Sequence, residues 1–369
     1  MMWRRAMLIS AIVALIGAPL AQAQEAPLWE SVWRGTIGQY PVVACLARDG
    51  LGEGRGAYYY LSKRSILRLQ AGTGEGRWQE DAAEHKSAPA WKLNAPSGSA
   101  LSGTWSDGAG RDLPVAMTRV AYGADEGACG SRAFMAPRLG PVKIGRKAAM
   151  KAGLAYEALN YDVGDQFDGV SINSFALVPK LAGDAAINRA VALDPLKPEG
   201  KADFAACLSG SIQSIGMDGD FSLDIAPAPV PGDYLAAQLS QSYSCGGAHP
   251  DAFTQDSVYD RRSGAEIALW RWIAPSALRA GTGSARELAP KLRTLVLLKS
   301  PRSDAECRDV VRQNNSWGIG LTAFGLAFTP QLPHAVAACA DTTKLGWNAL
   351  APFLSAMGKA GVRRILTDN

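Results

Sequence analysis

Between Trp29 and Tyr122 the chain breaks into short segments rich in β-branched and aromatic residues, each bounded by Gly, Asp or Ser. Eight are legible, at 31–37, 42–48, 56–61, 66–70, 77–81, 90–93, 101–105 and 113–118. The pair Val42-Val43, the run Tyr58-Tyr59-Tyr60 and the isolated tryptophans suit a pleated, half-buried surface. Arg48-Asp49-Gly50 and Ser106-Asp107-Gly108 are turn signals at the spacing of an antiparallel meander. Strands in that order close into a barrel or fold into a sandwich, and the meander favours the barrel.

The stretch 124–151 is rich in Gly, Pro and basic residues, and Pro137, Gly140, Pro141 and Gly145 interrupt any period. It reads as a link. From Leu154 the texture changes. Residues 170–181 alternate as a strand, and 184–193 carry Ile187 and Val191 at helical spacing, with Asp184 as N-cap and Pro195 as stop. Residues 221–225 read as a strand followed by the stiff connector Ala226-Pro-Ala-Pro-Val-Pro231. A hairpin of 234–244 and 252–260 is expected around Gly246-Gly247. Helices are expected at 285–299, 303–312 and 350–357, and a strand at 320–328. The expected fold is α+β overall: an all-β antiparallel meander, barrel or sandwich, at 25–125, a linker at 126–153, and an α+β domain with an antiparallel sheet at 154–369.

The first residues say where such a chain works. Arg4 and Arg5 precede an apolar run to Leu20, and Ala21-Gln22-Ala23 offers a small-x-small exit. That is the pattern of a secretory signal spanning 1–23. No lipobox cysteine stands at the exit and no later run has the length of a membrane span, so a periplasmic or secreted protein without a membrane span is expected. Net charge is +4, of which the signal carries two, and no basic stripe is present, so nucleic acid is not an expected partner. The six cysteines are an even set in an exported chain, which favours disulfides. None are spaced C-x-x-C. Cys45–Cys129 is expected because both fall in or beside the first domain, and Cys207–Cys245 and Cys307–Cys339 complete a domain-wise pairing.

One block carries a family signal: Tyr243-Ser-Cys-Gly-Gly-Ala-His-Pro250, then 253–259, then Asp260-Arg-Arg-Ser-Gly-Ala-Glu-Ile267 and Leu269. It resembles the domain-of-unknown-function family 3298. Residues 318–328 and 347–354 resemble that family's closing strand and terminal helix. The stretch 156–233, with Leu177-Val-Pro-Lys-Leu-Ala-Gly183 and Asn188, is similar to its companion, family 4163. The resemblance covers the chain from about Leu154 onward and leaves 25–125 unmatched. The paired domain it implies occurs outside the membrane in lysozyme-binding anti-sigma factors and beside the catalytic domain of some peptidoglycan deacetylases. This chain departs from both, lacking an internal membrane span and the Asp/His arrangement of a deacetylase metal site.

Candidate chemistry is sparse. His249 follows the two glycines, with Cys245 and Asp251 nearby, but a disulfide would remove the thiol from any Cys/His pair. The structural reading has Gly246 and Gly247 supplying positive φ and His249 pinning the turn by a hydrogen bond. His85, His249 and His334 are isolated, so no metal or other cofactor is expected. Ser209-Gly210-Ser211 is no nucleophile elbow, and Ser97-Gly98-Ser99 reads as a turn. Gly72–Gly76 and Gly52–Gly54 read as hairpin turns rather than phosphate loops. Trp270 and Trp272 are two apart, so in a strand they share a face. A non-catalytic binding protein follows, one that recognises or inhibits a lysozyme-like muramidase. Its candidate contact residues are Gly246, Gly247, His249, Asp251, Trp270 and Trp272. Asp218–Asp220 and Glu80-Asp81 with Glu84 are candidate acidic patches for a basic partner. The alternative is a peptidoglycan-binding module that presents tryptophans such as Trp78 and Trp105 to the glycan.

Overall fold

The computed structural model describes residues 29–48, 54–81, 88–279, 285–301 and 305–367. The signal segment, the turn at Asp49-Gly50, Glu84 and His85 lie outside them.

The first eight strands are β1 (Ser31–Ile37), β2 (Tyr40–Arg48), β3 (Gly54–Tyr60), β4 (Leu67–Ala71), β5 (Arg77–Glu80), β6 (Ala90–Leu93), β7 (Ala100–Ser106) and β8 (Asp112–Val120). Each pairs antiparallel with the next, and β8 returns to β1, closing a meander barrel. All eight expected segments fall on these strands. Alternate residues fill the inside with Trp33, Val42, Ala44, Leu46, Tyr58, Trp78 and Trp91. At the β7–β8 turn the Asp107 carboxylate accepts from the Ala109 and Arg111 amides. The Val42–Ala47 run is buried on both faces. Val43, Cys45 and Ala47 point away from the barrel interior into a second core, shared with the rest of the molecule.

Residues 126–153 are not a plain link. Short helical turns at Ala128–Gly130 and α1 (Arg132–Met135) pack against the barrel, with Phe134 fully buried. The Tyr59 hydroxyl donates to the Phe134 carbonyl at 2.7 Å. Arg138 has no exposed side-chain surface. Its guanidinium forks onto Asp218 at 2.7 and 2.5 Å, its Nε donates to the Arg64 carbonyl, and it lies over the Phe167 ring. β9 (Lys143–Lys151) follows and pairs along its whole length with β10 (Leu154–Asp162). Gly145 does not interrupt it, because a strand whose side chains are mostly exposed asks little of any one of them.

β11 (Val170–Leu177), α2 (Asp184–Val191), α3 (Phe204–Ile215), β12 (Asp220–Val230), β13 (Tyr234–Ser244) and β14 (Asp251–Asp260) complete a six-stranded sheet in the order β14-β13-β12-β11-β10-β9. It is mixed rather than purely antiparallel. β11 and β12 run parallel, and α2 and α3 form the crossover that a parallel pair requires. α3 escaped the sequence reading although its signals are present: the Asp203 side chain caps the Ala206 amide, and Gly216 ends the helix at φ +74°. The expected connector at 226–231 is instead strand through Val230. β11 pairs with β12 only as far as Asp224, so beyond it Pro227 and Pro229 remove donors from a side with no β11 partner. Asp184 is the first residue of α2, not its cap, and Gly183 precedes it. The buried Asp184 carboxylate forks onto Arg261 at 2.8 Å in both contacts and accepts from the Lys180 and Leu181 amides.

Past β14 a smaller lobe forms. It holds α4 (Pro290–Lys299), α5 (Ala305–Gln313), β15 (Trp317–Thr322), β16 (Gly325–Pro330), β17 (Thr343–Gly346), α6 (Trp347–Leu350) and α7 (Ala356–Thr367). Residues 285–289 are extended, since Arg286 bridges to Trp317 and Leu288 to Leu278, so the helix expected from 285 starts at Pro290. The single strand expected at 320–328 is two, folded at Ala323-Phe324. Likewise, the helix expected at 350–357 is interrupted: α6 ends at Leu350, Ala351–Phe353 form a turn, and α7 starts only at Ala356. Arg364 on α7 forks onto Asp260 at 2.7 and 2.9 Å and covers the Tyr234 ring, tying the terminus to the large sheet. All three disulfides follow the domain-wise pairing: Cys45–Cys129, Cys207–Cys245 and Cys307–Cys339.

Candidate functional site: a groove beside the β13–β14 hairpin

The Cys207–Cys245 bridge ties the residue that follows β13 to the first turn of α3. At the next residue the chain turns hard against that helix. Gly246 has φ +82°, and a Cβ there would stand 2.8 Å from the Ser211 Cα and 2.9 Å from the Ser214 Cβ. Only glycine fits both the angle and the approach. Gly247 is different: it is exposed, a Cβ on it would meet almost nothing, and its φ is not positive. The expected role in the turn therefore belongs to Gly246 alone. His249 is exposed near the tip. Asp251 opens β14 and accepts from the Tyr243 hydroxyl at 3.0 Å, which pushes that phenol above its ordinary range.

Beside this hairpin, one face of β12–β14 and the flank of α2 and α3 enclose a groove of about 570 Å³. Its apolar wall includes Phe221, Ile225, Leu239, Tyr243 and Tyr259, and Phe253 stands at its mouth. Gln241, Gln255 and Ser257 supply neutral polar groups, and Lys201 and Asp203 the charges. Burial raises the Tyr259 phenol, which stays a neutral hydroxyl through the physiological range. Phe253 is 43% exposed, a large aromatic left without full cover at the rim. Wall residues of β14 fall on odd positions, a period legible in Phe253, Gln255, Ser257 and Tyr259. The opposite wall was not legible, because α3 reaches it only through the crossover and the disulfide.

The expected contact residues divide. Gly246, Gly247, His249 and Asp251 share the hairpin, whereas Trp270 and Trp272 lie in the smaller lobe. These two occupy a 3₁₀ turn, Leu269–Trp272, rather than a strand, so they do not share a face. Trp272 is buried and packs edge-on against Tyr234, while Trp270 is half-buried beside Phe328.

Nor do the tryptophans expected to face glycan offer an exposed plane. Trp78 fills the barrel, and the half-buried Trp105 donates to Glu80 at 2.8 Å. Three of the acidic candidates have internal partners, while Asp220 is exposed. Asp218 is matched by Arg138, Asp81 by Arg68, and Glu80 also accepts from the Tyr58 hydroxyl. Gly72 to Gly76 form the β4–β5 turn, with the Gly72 amide donating to the Arg77 carbonyl, and Ser97-Gly98-Ser99 turns between β6 and β7. Among the described residues no group of three or more His, Cys, Asp or Glu is arranged to hold a metal, and no helix is long and apolar enough to cross a membrane.

The block that carries the family signal has an architectural explanation. Asp260-Arg-Arg-Ser-Gly264 is a turn in which the Gly264 amide donates to the Asp260 carbonyl, and Gly264 has φ +78°. Gly183 of the 177–183 segment donates to the Arg261 carbonyl and lies directly against Gly264. The two motif segments thus dock on each other through a glycine contact and the Asp184–Arg261 pair.

No protein-family model matches the chain, and no curated protein matches it significantly. Among solved structures it is similar to a DUF3298 family protein from Pseudomonas aeruginosa PAO1, at 13% identity over 59% of this chain and 96% of that one, with a TM-score of 0.32. A DUF3298 family member from Bacteroides fragilis NCTC 9343 is similar at 11% identity over 61% of this chain and 97% of its own, with a TM-score of 0.36. Neither is described as a member of the companion family 4163.

Proposed function

We propose that the chain is an exported, disulfide-braced binding protein that recognises a lysozyme-like peptidoglycan hydrolase through the β13–β14 hairpin and the groove beside it. The observation that carries this reading is the groove itself. It is an aromatic cleft with a half-exposed Phe253 at its mouth, held rigid by the Cys207–Cys245 bridge. A preformed apolar cleft with a few neutral polar groups suits a protruding side chain of a protein partner. Export is supported by the signal pattern and by three disulfides, which persist in oxidising compartments. The choice of a muramidase follows the family resemblance.

The test is calorimetric titration of the disulfide-intact mature protein with a panel of muramidases, alongside cell-wall turbidity assays. A complex is expected with at least one of them, and Phe253→Ala should weaken it by about tenfold or more, the scale of an aromatic anchor. Silence across the panel refutes the partner. A complex indifferent to Phe253→Ala and Tyr243→Ala refutes the groove.

A further inference from the structure

β14 is the last strand of the six-stranded sheet, and its outer edge is only partly used. At its C-terminal end the chain pairs with that edge itself. The Ile267 amide donates to the Val258 carbonyl, and the Asp260 amide to the Ala265 carbonyl. Those bonds fix which residues face outward. Val258 and Asp260 point to the edge, so by the period of two Asp256 and Thr254 do as well. Among the described residues nothing bonds the backbone of Thr254 or Asp256 on that side. Residues 252–255 are exposed.

A cleft lies on each face of this bare length of edge. On one face is the aromatic groove already described. On the other, between β14 and β15, is a polar cleft of about 620 Å³ whose lining includes Gln238, Thr254, Asp256 and Thr322, with Lys151 and Lys344 as its two cations. Phe253 and Gln255 border both. Asp256 is the carboxylate of the second cleft. It accepts from the Gln238 amide at 3.2 Å, and Gly320 on β15 leaves it room, since a Cβ there would fall 2.2 Å from its Oδ2. Burial pushes its carboxyl above the ordinary range, and among the described residues neither lysine of the cleft forms an ion pair with it.

We propose that the Ala252–Asp256 edge of β14 receives an extended peptide segment of a protein partner as an added strand, one whose side chains alternate between apolar and cationic. Backbone bonds to Thr254 and Asp256 would hold the strand. Side chains opposite Phe253 and Gln255 would enter the aromatic groove, and those opposite Thr254 and Asp256 the polar cleft. Apolar residues suit the first. A lysine or arginine suits the second, where it would meet the Asp256 carboxylate, whose one described side-chain partner is the neutral Gln238. The inference rests on the reading of the groove as a protein-binding surface, but not on the partner being a muramidase.

The probe is a short fluorescein-labelled peptide of alternating leucine and lysine, titrated against the disulfide-intact mature protein by fluorescence polarisation. Three controls accompany it: glutamate in place of lysine, N-methylation of every second amide in either phase, and the variants Thr254→Pro and Asp256→Asn. Proline at 254 removes an outward N–H while leaving the pairing with β13 intact, so the fold should survive, as thermal unfolding would confirm. Saturable binding is expected for the lysine peptide. It should weaken by about tenfold or more with Thr254→Pro and with one phase of N-methylation only, the scale of losing backbone hydrogen bonds. Asp256→Asn should narrow the preference for lysine over glutamate. Absence of binding, or binding indifferent to Thr254→Pro and to both phases of methylation, overturns the proposal. Self-association of the free protein that is lost in Thr254→Pro would also overturn it, by making a second copy the occupant. Muramidase binding without peptide binding would sink this inference and leave the proposed function standing.

Discussion

Asp184 shows what one carboxylate contributes when it has no contact with water. Burial alone pushes its carboxyl up, but the Arg261 guanidinium and the Lys180 and Leu181 amides outweigh burial and hold it below the ordinary carboxylate range. A carboxyl depressed in the folded state contributes stability above its unfolded value near pH ~4, and that contribution is lost as pH falls through the lower folded value. Asp260 is held low by Arg364 and adds to the same slope. Urea unfolding should therefore show stability falling below about pH 4. Asp184→Asn should cost about 3 kcal/mol at neutral pH, because it leaves Arg261 unmatched, and should flatten part of the acid slope. An unchanged slope in the variant would remove Asp184 from this account. The sequence offered Asp184 only as a helix cap. Nothing local announces a partner at Arg261, which is reached through the β13–β14 hairpin and the turn that follows it.

At the scale of elements, legibility followed period and punctuation. The barrel strands were readable because alternation and Gly/Asp turns agree along the chain. Where punctuation and pairing disagree, pairing prevails: β12 runs through Pro227 and Pro229 because that side of the strand has no β11 partner beyond Asp224. The Ala323-Phe324 fold between β15 and β16 lacks Gly-Asn or Asp-Gly chemistry at its tip, so it read as continuous strand. For the candidate site, the hairpin and the period of β14 were legible, but the opposite wall was not. That wall depends on a parallel pairing between residues near 172 and 223, which no local pattern encodes. The Asp260–Gly264 turn gives a direct test of how one element seats another. A Cβ on Gly264 would meet the Ala186 Cβ at 2.6 Å in a left-handed conformation. Gly264→Ala should thus cost at least ~1–2 kcal/mol from the backbone alone, seen as a lowered midpoint in calorimetry. A variant as stable as the parent would show that the contact between segments 177–183 and 260–264 gives way freely.

Across the whole molecule the barrel is not a free unit. Val43, Cys45, Ala47, Ala57 and Tyr59 turn their side chains outward into a core completed by Phe134, Phe175 and Leu208. Arg138 binds the Arg64 carbonyl on one side and Asp218 on the other. A fragment of residues 25–125 would expose this apolar face and leave Cys45 without Cys129. It should be insoluble or lack a cooperative transition, whereas the whole chain should lose near-ultraviolet and far-ultraviolet dichroism of its barrel and large sheet together. A fragment that melts cooperatively on its own would contradict the shared core.

The three bridges join the six cysteines in consecutive pairs along the chain. Were the chain exported N-terminus first, as proposed, the correct partner would always be the next thiol to emerge, and at the moment each pair could close no competitor would be waiting unpaired. Oxidation in order of emergence produces the native connectivity directly. The longest wait would fall on Cys45, whose partner lies 84 residues behind it, so all eight barrel strands would have emerged before its bridge could close.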